Sequence, residues 1–152
     1  MKKLFSFTLT VLYLYISNIA SASEPVIDGV LNEESWQGIT PNTVNYQVIP
    51  QTLTKLEGNF SYQIITSSHG IYIGISASTM SPLRVRTQEN DTLFTNDHIQ
   101  LMIDMNNTQQ ISYVFAVNHQ GYFYDGIYKQ NKEFDLDWDS QWHYKTKVLT
   151  DS

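Results

Sequence analysis

Aromatic rings next to planar polar side chains are the first candidate chemistry in this sequence. Sugar-binding sites have this composition, because rings stack on sugar faces while amides and carboxylates fix the hydroxyl groups. Phe94 stands in the polar loop TLFTND, where a ring can either stack on a ligand or close the end of a core. The resulting candidates for carbohydrate binding are Phe94, Asn96, Asp97, Asn118 and Trp138.

Trp138 and Trp142 flank Asp139, and their neighbours predict different roles for them. Trp142 alternates with Tyr144 and Val148, which predicts a ring in the core. Trp138 lies between two aspartates, which favours an exposed platform, although tryptophan is more often buried.

Three aspartates at alternate positions suggest a calcium site. Asp135, Asp137 and Asp139 form the pattern D-x-D-x-D, the spacing with which an oxygen-rich calcium loop begins. Ser140 and Thr146 stand where an EF-hand needs glycine and a bidentate glutamate, so this is not an EF-hand. An irregular calcium site and a solvated acidic loop both remain open, and Asp104 is a further weak ligand candidate.

Catalytic motifs and a nucleic-acid partner are not indicated. The four histidines share no spacing, and the sequence has neither a G-x-S-x-G elbow nor an H-E-x-x-H helix. The absence of cysteine excludes thiolate zinc sites and cysteine nucleophiles. With 9 Lys and Arg against 15 Asp and Glu, no basic stripe is available to neutralise a phosphate backbone. We therefore predict a non-catalytic protein.

The first 22 residues have the form of an export signal. Lys2 and Lys3 precede an apolar run, and Ala20-Ser21-Ala22 provides the small residues that a signal peptidase accepts. We expect cleavage before Ser23 and a location in the periplasm or elsewhere in the cell envelope. The mature domain would then cover residues 23–152 as one unit.

Alternation of apolar and polar residues predicts the fold. Residues 60–64 and 71–77 alternate about a turn at 67–70, which indicates a hairpin. The same period predicts strands at 99–103, 111–117, 122–128 and 142–148, while Asn32 is predicted to cap a helical turn at 33–36. The strand spacing favours an all-β fold, a jelly-roll-like antiparallel β-sandwich. Because the last strand ends in the turn signal Thr-Asp-Ser, the sandwich is expected to be incomplete at its C-terminus, with an open sheet edge.

Five segments in order resemble the family 9 carbohydrate-binding modules, in the version found ahead of an outer-membrane barrel. They read VIDGVLNEESWQ, HGIYIGISAS, TLFTNDHIQLMIDMNN, ISYVFAVNHQGYFYDGIY and DLDWDSQWHYKTKV. The resemblance covers residues 25–152 and implies a jelly-roll-like sandwich that binds sugar ends beside calcium. It places Phe94 where the family carries a sandwiching tryptophan, and Ala116 where the family has a sugar-contacting arginine. The family's second tryptophan belongs to strands that would follow residue 152.

Three functional hypotheses follow. The first is a non-catalytic exported module that binds carbohydrate in polysaccharide breakdown or uptake. The second is an interaction domain whose open edge pairs with an outer-membrane barrel. The third is a b-haem electron-transfer domain, which the resemblance raises because similar sandwiches hold haem. Its axial ligands would be a methionine with a lysine or histidine; Met80 is the only plausible axial methionine, and a lone methionine favours this hypothesis weakly.

Overall fold

The computed structural model describes residues 23–46, 54–78, 82–86, 88–92, 95–130 and 133–149. The predicted signal sequence, Phe94 and Met80 all lie outside the described residues. The described residues contain one short helix and seven strands, namely α1 Glu34–Gln37, β1 Asn42–Tyr46, β2 Lys55–Thr66, β3 Ile71–Ala77, β4 His98–Ile103, β5 Ile111–Asn118, β6 Phe123–Lys129 and β7 Phe134–Asp135.

The strands form two antiparallel sheets, which confirms the predicted all-β class and is compatible with a β-sandwich. The smaller sheet has the order β1-β2-β3, and the larger has the order β4-β5-β6-β7. The predicted hairpin is the pair β2 and β3, closed by a hydrogen bond from the amide of Ser67 to the carbonyl of Gly70. Within the described part of the chain, no helix is long and apolar enough to cross a membrane.

Helix α1 is attached to the smaller sheet through a tryptophan and a glutamine. The ring of Trp36 is buried over Gly74, where a Cβ would lie 3.2 Å from it. The buried amide of Gln63 donates to the carbonyls of Trp36 and Ile39, at 2.8 and 2.7 Å, which satisfies acceptors at the helix end. The predicted cap was wrong, because Glu33 holds the N-cap position and makes no side-chain capping bond.

The larger sheet has two chemically different faces, which follow from its register. Ala116 pairs with Gln100 and Tyr124, so these three residues lie on one face. The preceding residue of β5, Phe115, pairs with Leu101 and Asp125, and these three residues lie on the other face. The first face carries the fully buried core cluster of Val114, Ala116 and Tyr124, against which Tyr128 and Phe134 pack.

The predicted strand at 142–148 is not a strand in the structure. Trp142, Tyr144 and Thr146 are half-buried, and the residues between them are exposed, so the alternation itself is real. The segment is held by side chains instead of a ladder: the Tyr144 hydroxyl donates to the carbonyl of Gly121 at 3.3 Å, and the Thr146 hydroxyl donates to that of His119 at 3.2 Å. Alternating burial therefore came from packing and not from strand pairing.

Candidate functional site

Two of the predicted sugar-binding residues are buried and bond to the backbone. Asn96 accepts a hydrogen bond from the amide of Arg86 at 2.6 Å. Asn118 is only 2% exposed, and its Oδ1 accepts from the amides of Gln120 and Tyr122 at 2.9 and 3.0 Å. These asparagines fix a loop and a turn, and the structure does not present them to a surface ligand.

Asp97 also fixes a loop. Its carboxylate accepts from the backbone amide of Arg84 at 2.8 Å and from the Arg84 guanidinium at 3.4 Å. The backbone hydrogen bond is the main cause of the lowered pKa of Asp97. The structure thus places Asn96, Asp97 and Asn118 in supporting roles, while Phe94 lies outside the described residues.

Trp138 belongs to a group of aromatic rings that covers one face of the larger sheet. We call this group the aromatic face; it comprises Tyr113, Phe115, Phe123, Trp138, Trp142 and Tyr144. Trp138 is half-buried, with its ring 5.0 Å from that of Tyr113 and 6.0 Å from that of Phe115. Trp142 lies 5.3 Å from Phe115 and 4.5 Å from Tyr144. Trp138 therefore packs on the sheet, which is one of the two alternatives that its sequence left open.

The predicted calcium ligands are not brought together by the structure. Asp104 accepts from the amides of Asn106 and Gln109, and Asp135 accepts from the amide of Asp137 and from the ammonium group of Lys129. Across the described ranges, no three His, Asp or Glu side chains form a group suited to a metal ion. The described contacts of Asp104 and Asp135 stabilise a turn, a loop and an ion pair, and calcium binding at Asp104, Asp135, Asp137 and Asp139 stays a prediction.

Two other aspartates, Asp125 and Asp139, contribute to the raised pKa of Asp91. Asp125 on the aromatic face is 2% exposed, and its Oδ2 accepts from the amide of Ser140 at 2.8 Å. Asp91 has a raised pKa, first because of burial and then because of the charges of Asp125 and Asp139. The hydrogen bond from Ser140 lets Asp125 anchor the start of the C-terminal segment, residues 138–149. The same carboxylate repels that of Asp91.

A groove opens on the opposite face of the same sheet. We call it the sheet groove; it is lined by Gln100 and Met102 of β4, Tyr128 of β6 and Phe134 of β7, and its volume is about 470 Å³. Met102 is 49% exposed, whereas the rings of Tyr128 and Phe134 are half-buried against the core. The ring of Phe134 lies over Gly126, where a Cβ would be 3.2 Å from two ring carbons.

A polar network lies at one end of the sheet groove. The buried hydroxyl of Tyr124 donates a hydrogen bond to Oε1 of Gln100, and burial raises the pKa of Tyr124. The hydroxyl also lies 3.4 Å from Nε2 of His98, whose Nδ1 is 2.8 Å from the carbonyl of Asn96 and therefore carries a proton. This network holds the Gln100 amide in place, so that its NH₂ group is available at the groove.

The residues of the sheet groove were not predicted from the sequence, although part of the pattern that indicates them was present. The alternation on β4 separated Gln100 and Met102 from the apolar positions, which marks them as one outward face. Phe134 had no such signal, because β7 has only two residues and lies within the segment that was predicted as an acidic loop.

No family model, curated protein or solved structure matches this chain.

Proposed function

We propose that the protein is a non-catalytic carbohydrate-binding domain of the cell envelope, which binds neutral sugar in the sheet groove. The observation that carries this proposal is the pair of half-buried rings, Tyr128 and Phe134, that line the groove together with the fixed amide of Gln100. Rings and a planar polar group are what a sugar ring and its hydroxyls require. The resemblance to family 9 modules supports the same ligand class.

The groove is already organised for binding. Tyr128 and Phe134 pack against the buried core, and Gln100 is held by Tyr124, so little side-chain freedom remains to be lost when a ligand binds. An exposed site of this size is suited to one or two sugar units, with modest affinity expected.

Isothermal titration with cello- and xylo-oligosaccharides, with and without calcium, tests the proposal. Tyr128→Ala should weaken binding by about tenfold, since an aromatic contact contributes roughly 0.5–1.5 kcal/mol. Tyr46→Ala is the matched control, because Tyr46 is 58% exposed on the other sheet. No heat with any sugar in either condition, or equal affinity in the two variants, would contradict the proposal.

A second candidate function, an interaction domain that joins an outer-membrane barrel, is favoured by an apolar face on the smaller sheet. Val44, Tyr62, Ile64 and Ile71 share this face by register, and Ile64 and Ile71 are 46% and 59% exposed. Exposed apolar groups in a contiguous row are typical of protein contacts. Since the chain has no cysteine, Ile64→Cys provides a unique label. Protection of this thiol from maleimide in whole envelopes, compared with Thr43→Cys on the opposite face, tests the hypothesis.

A further inference from the structure

A second depression lies at the turn between β5 and β6 and shares no residue with the sheet groove. We call it the turn cleft; its volume is about 390 Å³, and it is lined by His119, Gln120, Gly121, Tyr144, Lys145 and Thr146. Two chain segments, 119–121 and 144–146, form its walls. The hydrogen bonds from the Tyr144 and Thr146 hydroxyls to the turn hold these walls together.

The charge of the turn cleft is opposite to that of the whole chain, which carries a net charge of −6. His143, Lys145 and Lys147 are all exposed and alternate with half-buried residues, so they project from the same side of the extended segment, roughly 7 Å apart. Lys145 and Lys147 form no ion pair with the described residues. The ammonium group of Lys145 is therefore not engaged by an acidic side chain of the described residues.

Buried polar atoms without a partner and nearby acids also affect the electrostatic potential at the turn cleft. Nδ2 of Asn118 and Nδ1 of His119 are buried without a hydrogen-bond partner among the described residues, directly at the turn. The NH₂ group of Asn118 can only donate, so it adds positive potential at this turn. Two acids, Asp28 and Asp125, reduce this positive potential. Asp28 precedes Gly29, which packs on Lys147, and the charge of Asp125 acts on Tyr144. Neither of them lines the cleft.

We propose that the turn cleft binds the carboxylate of an acidic sugar, a uronic acid. Lys145 and His119 would hold the carboxylate, while Gln120 and the Tyr144 hydroxyl would bind the ring hydroxyls. This inference rests on the proposed carbohydrate-binding function, but it concerns a separate site.

Titration of the full chain with digalacturonate and with the neutral galactobiose, at low ionic strength, tests the proposal. Digalacturonate should bind about tenfold more tightly, as expected for a hydrogen bond to a charged group. Lys145→Gln should remove this preference, whereas Lys55→Gln, an exposed lysine on β2, should leave it unchanged. Equal affinity for the two sugars, or an unchanged preference in Lys145→Gln, overturns the proposal.

Two further arms separate this site from the sheet groove and from simple anions. Tyr128→Ala should leave digalacturonate binding at the turn cleft intact while the binding of neutral oligosaccharides weakens by about tenfold, so the two proposals fail independently. Inorganic phosphate should bind weakly, because it offers no ring hydroxyls to Gln120 and Tyr144. Phosphate binding as tight as that of digalacturonate, and equally sensitive to Lys145→Gln, would show a general anion site and overturn the assignment to a uronic acid.

Discussion

The two faces of the larger sheet use aromatic residues in opposite ways. On the aromatic face, Trp138, Trp142 and Tyr144 of the C-terminal segment cover the rings of Phe115 and Phe123. On the opposite face, Tyr128 and Phe134 line a groove beside the exposed Met102. The same strands thus bury one set of rings against the chain itself and present the other.

The difference shows why ring content alone does not locate a binding site. A ring that is packed edge-to-face against another ring already has its contacts, and it contributes mainly to stability. A half-buried ring at an open groove has one face fixed and the other accessible. Substitutions on the aromatic face should therefore change stability, and those around the groove should change binding as well.

Trp142→Ala should have the largest effect. Trp142 contacts Phe115, Phe123 and Tyr144, and its removal leaves a cavity between the sheet and the C-terminal segment. For a half-buried tryptophan we expect the free energy of unfolding to fall by about 2–3 kcal/mol. Urea unfolding measures this loss. Sugar affinity, measured where both proteins remain folded, should be unchanged, and a loss of affinity would contradict the division between the faces.

Gly126→Ala should affect both stability and binding. A Cβ at this position would lie 2.6 Å from the carbonyl oxygen of Asp135, so β7 and the ring of Phe134 have to move. We expect a loss of about 1–3 kcal/mol in the free energy of unfolding, together with weaker sugar binding. Gly38→Ala is the matched control, because nothing lies within 4 Å of its Cβ position. If the two variants behaved alike, Phe134 would not depend on Gly126 for its position.

Tyr124→Phe tests the polar network without changing the shape of the groove. The hydroxyl that holds Gln100 is lost, and the amide oxygen is left without this donor. We expect about 1 kcal/mol lower stability and a severalfold loss of sugar affinity. Tyr62→Phe on the smaller sheet serves as the control in both measurements. Unchanged affinity in Tyr124→Phe would mean that Gln100 does not need to be held in place.

The fold could be predicted wherever larger apolar residues alternate with smaller or polar ones along a paired strand. The pairs β2 with β3 and β4 with β5 and β6 have this pattern, and their turns contain residues suited to a left-handed backbone, such as Asn107 with φ of 51°. Strand β1 was missed because its alternation is limited to Val44 and Tyr46, and all five of its residues are exposed. Alternation reports which side chains are covered, which explains why the segment at 142–148 was predicted as a strand.

The site was harder to predict because residue type does not reveal what a polar group bonds to. Asn96 and Asn118 have the chemistry to bind sugar hydroxyls, but the same amides also satisfy buried backbone groups at turns, and that is how the structure uses them. Gln100 became a candidate only through its position beside Tyr128 and Phe134, which depends on the register of three strands and the two-residue strand β7.

The smallest expected effect concerns the charges beside the aromatic face. The pKa of Asp91 is raised in the folded protein, so folding favours its protonated form. Its contribution to stability is therefore fully present below the ordinary aspartate pKa, and it is lost as the pH rises through the raised value. Asp91→Asn should be more stable than the wild type at pH 7 by a few tenths of a kcal/mol, because Asp91 is largely exposed.

The pH dependence isolates this charge effect from the effect of the backbone. Asp91 has a φ of 60°, a conformation that asparagine adopts readily, and any gain from this source is independent of pH. The difference between Asp91→Asn and the wild type in urea unfolding should therefore shrink between pH 7 and pH 3. High salt should reduce the part of this stability difference that comes from the charges of Asp125 and Asp139. The part that comes from the burial of Asp91 should remain. A difference that stays constant with pH would show that the backbone conformation, and not the burial of Asp91 and its repulsion by Asp125 and Asp139, accounts for it.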